Sequence, residues 1–325
     1  MAPITDTFWR EGKIRSAVFT YILLALTVGA LAGCGKSKNT DFYHGEINIP
    51  KAAGLSQQER EVEERFAEYV GQNPEKAVEA YRKQFGKKVN VDNARELSKD
   101  YAPHGPDVND DTNREHRTMY SDAVQEPSRA LAKAVYLQML KEPASNDPPV
   151  VVFTAGGAAS GKTTSIAKNG AIQSILNSAQ IVYDTTMSES KTSLEKIDQA
   201  LNSGKSVCIV FVYRDPVESF LSALQRAMDE GRTLSLGAFV ETHESAPEVL
   251  LRIADQYKDD KRVEINVIDN SRGEGKAVEK NLAFIGKMAG LYKPDELKQR
   301  LRSELDAARA NNRISEAVYL AFKGK

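Results

Sequence analysis

Apolar positions between residues 56 and 90 recur every three or four residues. Val62, Phe66, Tyr69 and Val70 fall on one helical face, and Ala77, Val78, Tyr81 and Phe85 on another. Ser56 stands three residues before Glu59, the spacing of a capping box, so a helix is expected to open there. Pro74 suits the first turn of the second helix and Gly86 its end. Residues 101–112 contain Pro103, Gly105 and Pro106 among acids and amides, the composition of a loop. A longer helix is predicted beyond it. Its broad apolar face carries Ala130, Leu131, Ala134, Val135, Leu137 and Met139, and Pro143 and the pair Pro148-Pro149 stop it.

From Val150 onward the period changes. Short apolar, β-branched runs at 150–154, 181–183, 207–213 and 263–268 predict strands. Longer amphipathic stretches at about 162–178, 189–203, 216–230 and 246–258 predict helices between them. Apolar strands alternating with helices indicate an α/β fold, with a parallel sheet covered on both faces. Beyond Lys276 the pattern reads as helical, with Val278, Leu282, Ile285 and Met288 on one face. Pro294 then opens a further helix.

Composition adds two constraints. The chain has 325 residues, 44 Lys+Arg against 45 Asp+Glu, and a formal net charge of -1, so no generic nucleic-acid partner is expected. Two cysteines, Cys34 and Cys208, provide neither a disulfide framework nor a structural zinc site. Cys208 lies within an apolar strand run and is expected to be buried and inert.

The first residues stand apart. Arg10, Lys13 and Arg15 precede an uncharged apolar stretch that ends in Leu31-Ala32-Gly33-Cys34. A basic region, an apolar core and a small-residue site form a signal-peptide pattern. The final four residues resemble the lipobox of bacterial lipoproteins, which implies cleavage before Cys34 and lipidation of it, hence a membrane-associated protein. An uncleaved membrane anchor carrying a cytoplasmic domain is the alternative. The expected organisation is therefore a signal peptide or anchor (1–33), a tether (34–55), an α-helical region (56–148), an α/β domain (149–290) and C-terminal helices (291–325).

The chemistry is concentrated where the first strand of the α/β region ends. Gly156, Gly157, Ala158, Ala159, Ser160, Gly161, Lys162 and Thr163 spell G-x-x-x-x-G-K-[ST], the P-loop, followed by Thr164. Gly156 and Gly161 permit turns that side chains resist, so that consecutive N–H groups point at phosphate oxygens. Lys162 neutralises the terminal phosphates, and the Thr163 hydroxyl is placed for Mg²⁺. Three later strands end in acids, Asp184, Asp215 and Asp269. Asp215 precedes Pro216 and reads as a helix N-cap; Asp269 sits in a turn sequence. Asp184 is the better candidate, either as a second-shell Mg²⁺ ligand or as a general base on a substrate hydroxyl. Arg226 and Arg232 flank Gly231 after a helix, an arrangement suited to a lid that closes cations over a transferring phosphoryl group. His243 is expected at the surface or in a cap.

Three strings, VVVFTAGGAASGKTTS, IVYDTTMS and VCIVFVYRDPVESFLSALQRAMDEGRTLSLGAFVETHESAPE, resemble the zeta-toxin family of P-loop kinases over about residues 149–270. The resemblance implies a three-layer P-loop core like that of chloramphenicol phosphotransferase. It also implies ATP or GTP with Mg²⁺, and transfer of the γ-phosphate to a small-molecule hydroxyl; UDP-N-acetylglucosamine is the family's known acceptor. By position, Lys162 and Thr163 match the P-loop lysine and hydroxyl, and Arg226 and Arg232 match the two lid arginines. Asp184 matches the family's substrate-deprotonating aspartate. Alternatively IVYDTT matches a later strand, whose turn helps bind substrate; the base is then missing, and the alternative function is a membrane-anchored nucleotide-binding lipoprotein without phosphotransferase activity. An antitoxin partner is not legible in one chain.

Overall fold

The computed structural model describes residues 47–144, 149–273 and 276–324. Cys34 and the whole apolar N-terminal stretch lie outside the described residues. Among the described residues, no helix is long and apolar enough to cross a membrane.

The helical region before the P-loop comprises α1 (Gln57–Gln72), α2 (Pro74–Phe85), a two-residue strand β1 (Lys88–Val89), α3 (Val91–Arg95), α4 (Asp111–Tyr120) and α5 (Gln125–Lys141). The capping box forms as expected: the Ser56 amide donates to Glu59 Oε2 at 2.8 Å, and the Glu59 amide donates to Ser56 Oγ at 3.4 Å. The sheet region follows with β2 (Val150–Ala155), α6 (Lys162–Ala167), α7 (Gly170–Ser178), β3 (Ile181–Asp184), α8 (Ser190–Asn202), β4 (Ser206–Tyr213), α9 (Pro216–Glu230) and α10 (Leu236–Gln256). The chain then runs through β5 (Val263–Asp269), β6 (Val278–Lys280), α11 (Leu282–Met288), α12 (Pro294–Ala310) and α13 (Glu316–Lys323).

The six strands lie in the order β1-β3-β2-β4-β5-β6, parallel except for β6, which pairs antiparallel with β5. The fold is thus mixed α/β, with the P-loop strand β2 inside the sheet. Because side chains alternate along a strand, the two faces have separate cores. Val151, Phe153, Ile181, Tyr183, Ile209 and Phe211 pack with α1, α2, α5, α8 and α10. Val152, Val182, Cys208, Val210 and Val212 pack with Ile166 and Ile172 of α6 and α7. A third cluster joins α9 and the start of α10 to α12 and α13.

Four elements depart from the sequence pattern. The helix expected over 162–178 breaks into α6 and α7, because the Asn169 side chain accepts from the Ile172 amide at 3.1 Å and caps a new helix. Helix α10 begins ten residues before the expected 246, capped by Ser235, and continues through Pro247, a residue that costs it one N–H donor. Val278 does not lie on a helical face: it belongs to β6, and α11 starts only after Asn281 accepts from the Phe284 amide at 3.2 Å. Strand β1 has no counterpart in the sequence reading. It pairs Lys88 with Val182 and Val89 with Tyr183, so the chain before the P-loop supplies the edge of the sheet beside β3.

Candidate functional site

Strand β2 delivers the chain into the P-loop at the carboxyl end of the parallel sheet, where ligands of open α/β sheets bind. Gly156 has φ +125°, and a Cβ there would sit 2.1 Å from the Val212 carbonyl oxygen, so only glycine fits between β2 and β4. Gly161 is left-handed at φ +78° and forms the N-cap of α6; Ala159 also adopts positive φ, at 55°. The Lys162 ammonium donates to the Gly156 and Gly157 carbonyls at 3.2 and 3.3 Å. Thr163 is exposed, and the Thr164 hydroxyl donates to the Gly161 carbonyl at 3.1 Å.

Side chains from distant elements brace this loop. The Gly156 amide donates to the Thr186 carbonyl at 3.1 Å and the Ala158 amide to Thr242 Oγ1 at 3.2 Å. Asn270 Nδ2 donates to the Ser160 carbonyl at 2.9 Å. His243, expected at the surface or in a cap, is 8% exposed, stacks on Phe239 at 4.5 Å and bonds the Ala158 carbonyl through Nε2 at 2.8 Å. A carbonyl partner assigns the proton to Nε2. Burial lowers the His243 pKa to about 4, with the nearby Lys162 charge adding to the shift, so the ring is neutral. A Cβ on Gly157 would fall within 2.4 to 2.6 Å of the ring, which explains the second glycine of the loop.

Asp184 ends β3, in register with Thr154 of the P-loop strand, whose hydroxyl donates to Asp184 Oδ1 at 2.7 Å. It lies close enough to Lys162 to act on its charge. Burial lowers the Lys162 pKa; Arg226 and Lys88 push it the same way, whereas Asp184 and Asp92 oppose them. Asp215 caps α9 as expected, accepting from the Val217 amide at 2.9 Å, and also accepts from the Tyr292 hydroxyl at 2.6 Å. Asp269 accepts from the Ser271 amide at 3.0 Å, the expected turn role. Cys208 is buried and its thiol pKa is pushed up to about 12, which leaves it inert.

The structure adds an acid that the pattern of the sequence did not bring forward. Asp92 stands in the first turn of α3, just after the edge strand β1, and its side chain is 36% exposed. Burial opposes its charge, but Arg95, Arg226, Arg232 and Lys162 together hold its carboxyl below the usual range. The Asp92 carboxylate accepts from Arg95 Nη1 at 3.2 Å, and the charges of Lys162, Arg226 and Arg232, residues predicted from the P-loop and the lid, also act on it. The one signal for it is the order strand, then acid, in KVNVD, too short to stand out.

Arg226 and Arg232 each keep a buried Nε with no hydrogen-bond partner among the described residues. The segment between them was expected to hinge at Gly231. Instead it is fastened to α4. Gly231 has φ +74°, and a Cβ there would lie 2.1 Å from the Arg114 carbonyl oxygen. Thr118 Oγ1 donates to the Gly231 carbonyl at 3.4 Å, and Ser121 Oγ donates to the Thr233 carbonyl at 3.2 Å. The glycine serves a close approach between backbones.

Among the described residues no cluster of three or more metal-ligating side chains occurs. Mg²⁺ at a P-loop takes one or two protein oxygens and the rest from phosphates and water. The exposed Thr163 hydroxyl and the Asp184 carboxylate fit such a donor set.

The Zeta toxin family matches residues 165–278, less than half of the chain. The matched residues begin just after the P-loop and exclude Asp92. No curated protein matches. Among solved structures, one described as part of the molecular and structural characterization of the PezAT chromosomal toxin-antitoxin system of Streptococcus pneumoniae aligns over 63% of this chain and 100% of that chain, with 12% identity and a TM-score of 0.31. The family match supports a kinase-like, nucleotide-binding region.

Proposed function

We propose that this protein is a P-loop phosphotransferase that moves the γ-phosphate of ATP, or GTP, to a hydroxyl group of a small molecule. The observation that supports this reading is the P-loop, whose Lys162 donates to the Gly156 and Gly157 carbonyls, together with Asp92, an acid on which the charges of Lys162, Arg226 and Arg232 act. A nucleotide-binding module needs only the loop; a transferase also needs a carboxylate where an acceptor hydroxyl meets the terminal phosphate.

Asp92, not Asp184, takes the acceptor position. Asp184 accepts from the Thr154 hydroxyl on the P-loop strand and would hold Mg²⁺ together with Thr163. A bound Mg²⁺ would neutralise charge on the β- and γ-phosphate oxygens. The P-loop amides and Lys162 hold the phosphates, and Arg226 and Arg232 take up charge on the equatorial oxygens of the transferring group. The acceptor oxygen forms its bond to the γ-phosphorus while the bond to the β–γ bridging oxygen breaks and ADP leaves. The hydroxyl proton passes to Asp92. With its pKa depressed, Asp92 is a weak base, so it orients the hydroxyl first and takes the proton late, when the oxygen has become acidic.

The test is Mg-ATP with UDP-N-acetylglucosamine and related UDP-sugars, followed by mass spectrometry for a phosphorylated product. Lys162→Ala should abolish the product. Asp92→Asn should lower kcat by about 10²- to 10³-fold and leave ATP affinity within about twofold. Asp184→Asn should mainly raise the Mg²⁺ requirement. ATP binding that depends on Lys162, without any product across the panel, would overturn transfer and leave a nucleotide-binding protein.

We also propose that the domain is tethered to a membrane through lipid on Cys34. The basic, apolar and small-residue order before that cysteine supports it. Cys34→Ser should eliminate incorporation of labelled palmitate; retained label would refute the anchor.

A further inference from the structure

Helix α3 is only five residues long, yet acids stand at both of its ends: Asp92 in its first turn and Glu96 as its C-cap. Four residues apart, they lie on one face, a single turn from each other. Asp92 meets the proposed acceptor. Glu96 is turned inward, 2% exposed at its side chain.

The partners of Glu96 are specific. Arg117, from α4 and with 0% side-chain exposure, donates from Nη2 to Glu96 Oε2 at 2.7 Å. The other oxygen, Oε1, faces Arg232 Nη2 at 3.5 Å and has no hydrogen-bond partner closer in. Arg232 Nη1 meets Glu230 Oε2 at 3.5 Å, and Arg117 Nη1 reaches the Glu230 carbonyl at 3.4 Å. Glu96 is therefore fixed on one side by a buried arginine and aims its free oxygen at Arg232, the arginine proposed to stabilise the phosphoryl group.

We infer that Glu96 is a positioning residue for phosphoryl transfer: anchored by Arg117, it holds the Arg232 guanidinium toward the transferring phosphate while Asp92, on the same turn of α3, holds the acceptor. This rests on the transferase reading. One short helix then sets the distance between the group that receives the hydroxyl proton and the cation that stabilises the phosphate. Glu96 itself touches no substrate.

The test measures three quantities on the full chain in Mg²⁺: kcat for ATP turnover, affinity for ADP, and affinity for ADP with aluminium fluoride, a mimic of the planar phosphoryl group. Glu96→Gln alone leaves Arg117 buried without a counter-charge, so it is paired with Glu96→Gln/Arg117→Met, which keeps the interior neutral. The double variant is expected to melt within a few degrees of wild type and bind ADP normally. It should lose about 10- to 100-fold in kcat and a similar factor in preference for the aluminium fluoride complex. Adding Arg232→Ala should cost less than the same change does in the wild type, because the two changes act through one guanidinium. Losses that multiply, or unaltered kcat and preference in the double variant, would overturn the role of Glu96. A wild-type chain that shows no preference for the aluminium fluoride complex over ADP, or turnover that survives Lys162→Ala, would overturn the transferase reading and this inference with it. Intact Lys162 dependence with multiplying losses would remove the inference alone.

Discussion

His243 shows how much of a phosphate site is decided by a side chain that need not touch phosphate. Its neutral ring fills the space that a Cβ at Gly157 would take and bonds the Ala158 carbonyl. Unfolded, the ring titrates near 6.5; folded, near 4. Between those values the unfolded chain binds more protons, so the contribution is complete above pH 6.5 and is lost as pH falls toward 4, about 3 kcal/mol in total. Chemical denaturation across that window should show the loss, and His243→Gln, which retains a donor near Nε2, should flatten the slope. An unchanged slope would refute the assignment. At this scale the sequence was informative where a motif fixes spacing, as for Lys162 and Thr163. It was silent on Asp92, Glu96 and the buried part of His243, because their partners lie far away in the chain and no local pattern marks them.

Elements with their own caps were legible: α1 with its capping box, and α9 between Asp215 and Gly231. The errors came where one polar side chain outweighed periodicity, as at Asn169, or where pairing supplied what propensity lacked, as in β1 and β6. The segment after α9 is the most instructive case. Glycine next to arginine suggests a hinge by composition, but here the glycine lets α4 lie against the loop. Gly231→Ala is expected to lose about 2–5 kcal/mol, from a left-handed Cβ and its collision with the Arg114 carbonyl, and to lower turnover as Arg232 shifts. A hinge would instead tolerate alanine in thermal stability, and a melting curve separates the two.

For the whole molecule, the parallel sheet and the position of the P-loop at its carboxyl edge followed from the strand pattern. The entry of an N-terminal strand into that sheet did not, since two residues carry no period. The first core cluster unites both regions: Leu131, Val135, Tyr136 and Met139 of α5 pack with Phe153 and Tyr183, and Tyr136 stands 5.1 Å from Tyr183. Those four side chains represent about 6–12 kcal/mol of burial, comparable to the entire stability of a typical domain. A fragment of residues 149–325 is therefore expected to lack a cooperative unfolding transition; a sharp one in calorimetry would contradict this.

The edge strand also imposes an order in time. Lys88 and Val89 leave the ribosome long before Val182 and Tyr183, the residues they pair with. At common rates of synthesis the delay is roughly 5–20 s. During it, the segment bearing Asp92 has no sheet to join. Arg226 and Arg232, whose charges act on this acid, emerge later still, so a nascent chain stopped at any point before Arg232 lacks part of the electrostatic surroundings of Asp92. The proposed phosphoryl transfer would therefore arrive all at once, near the end of translation.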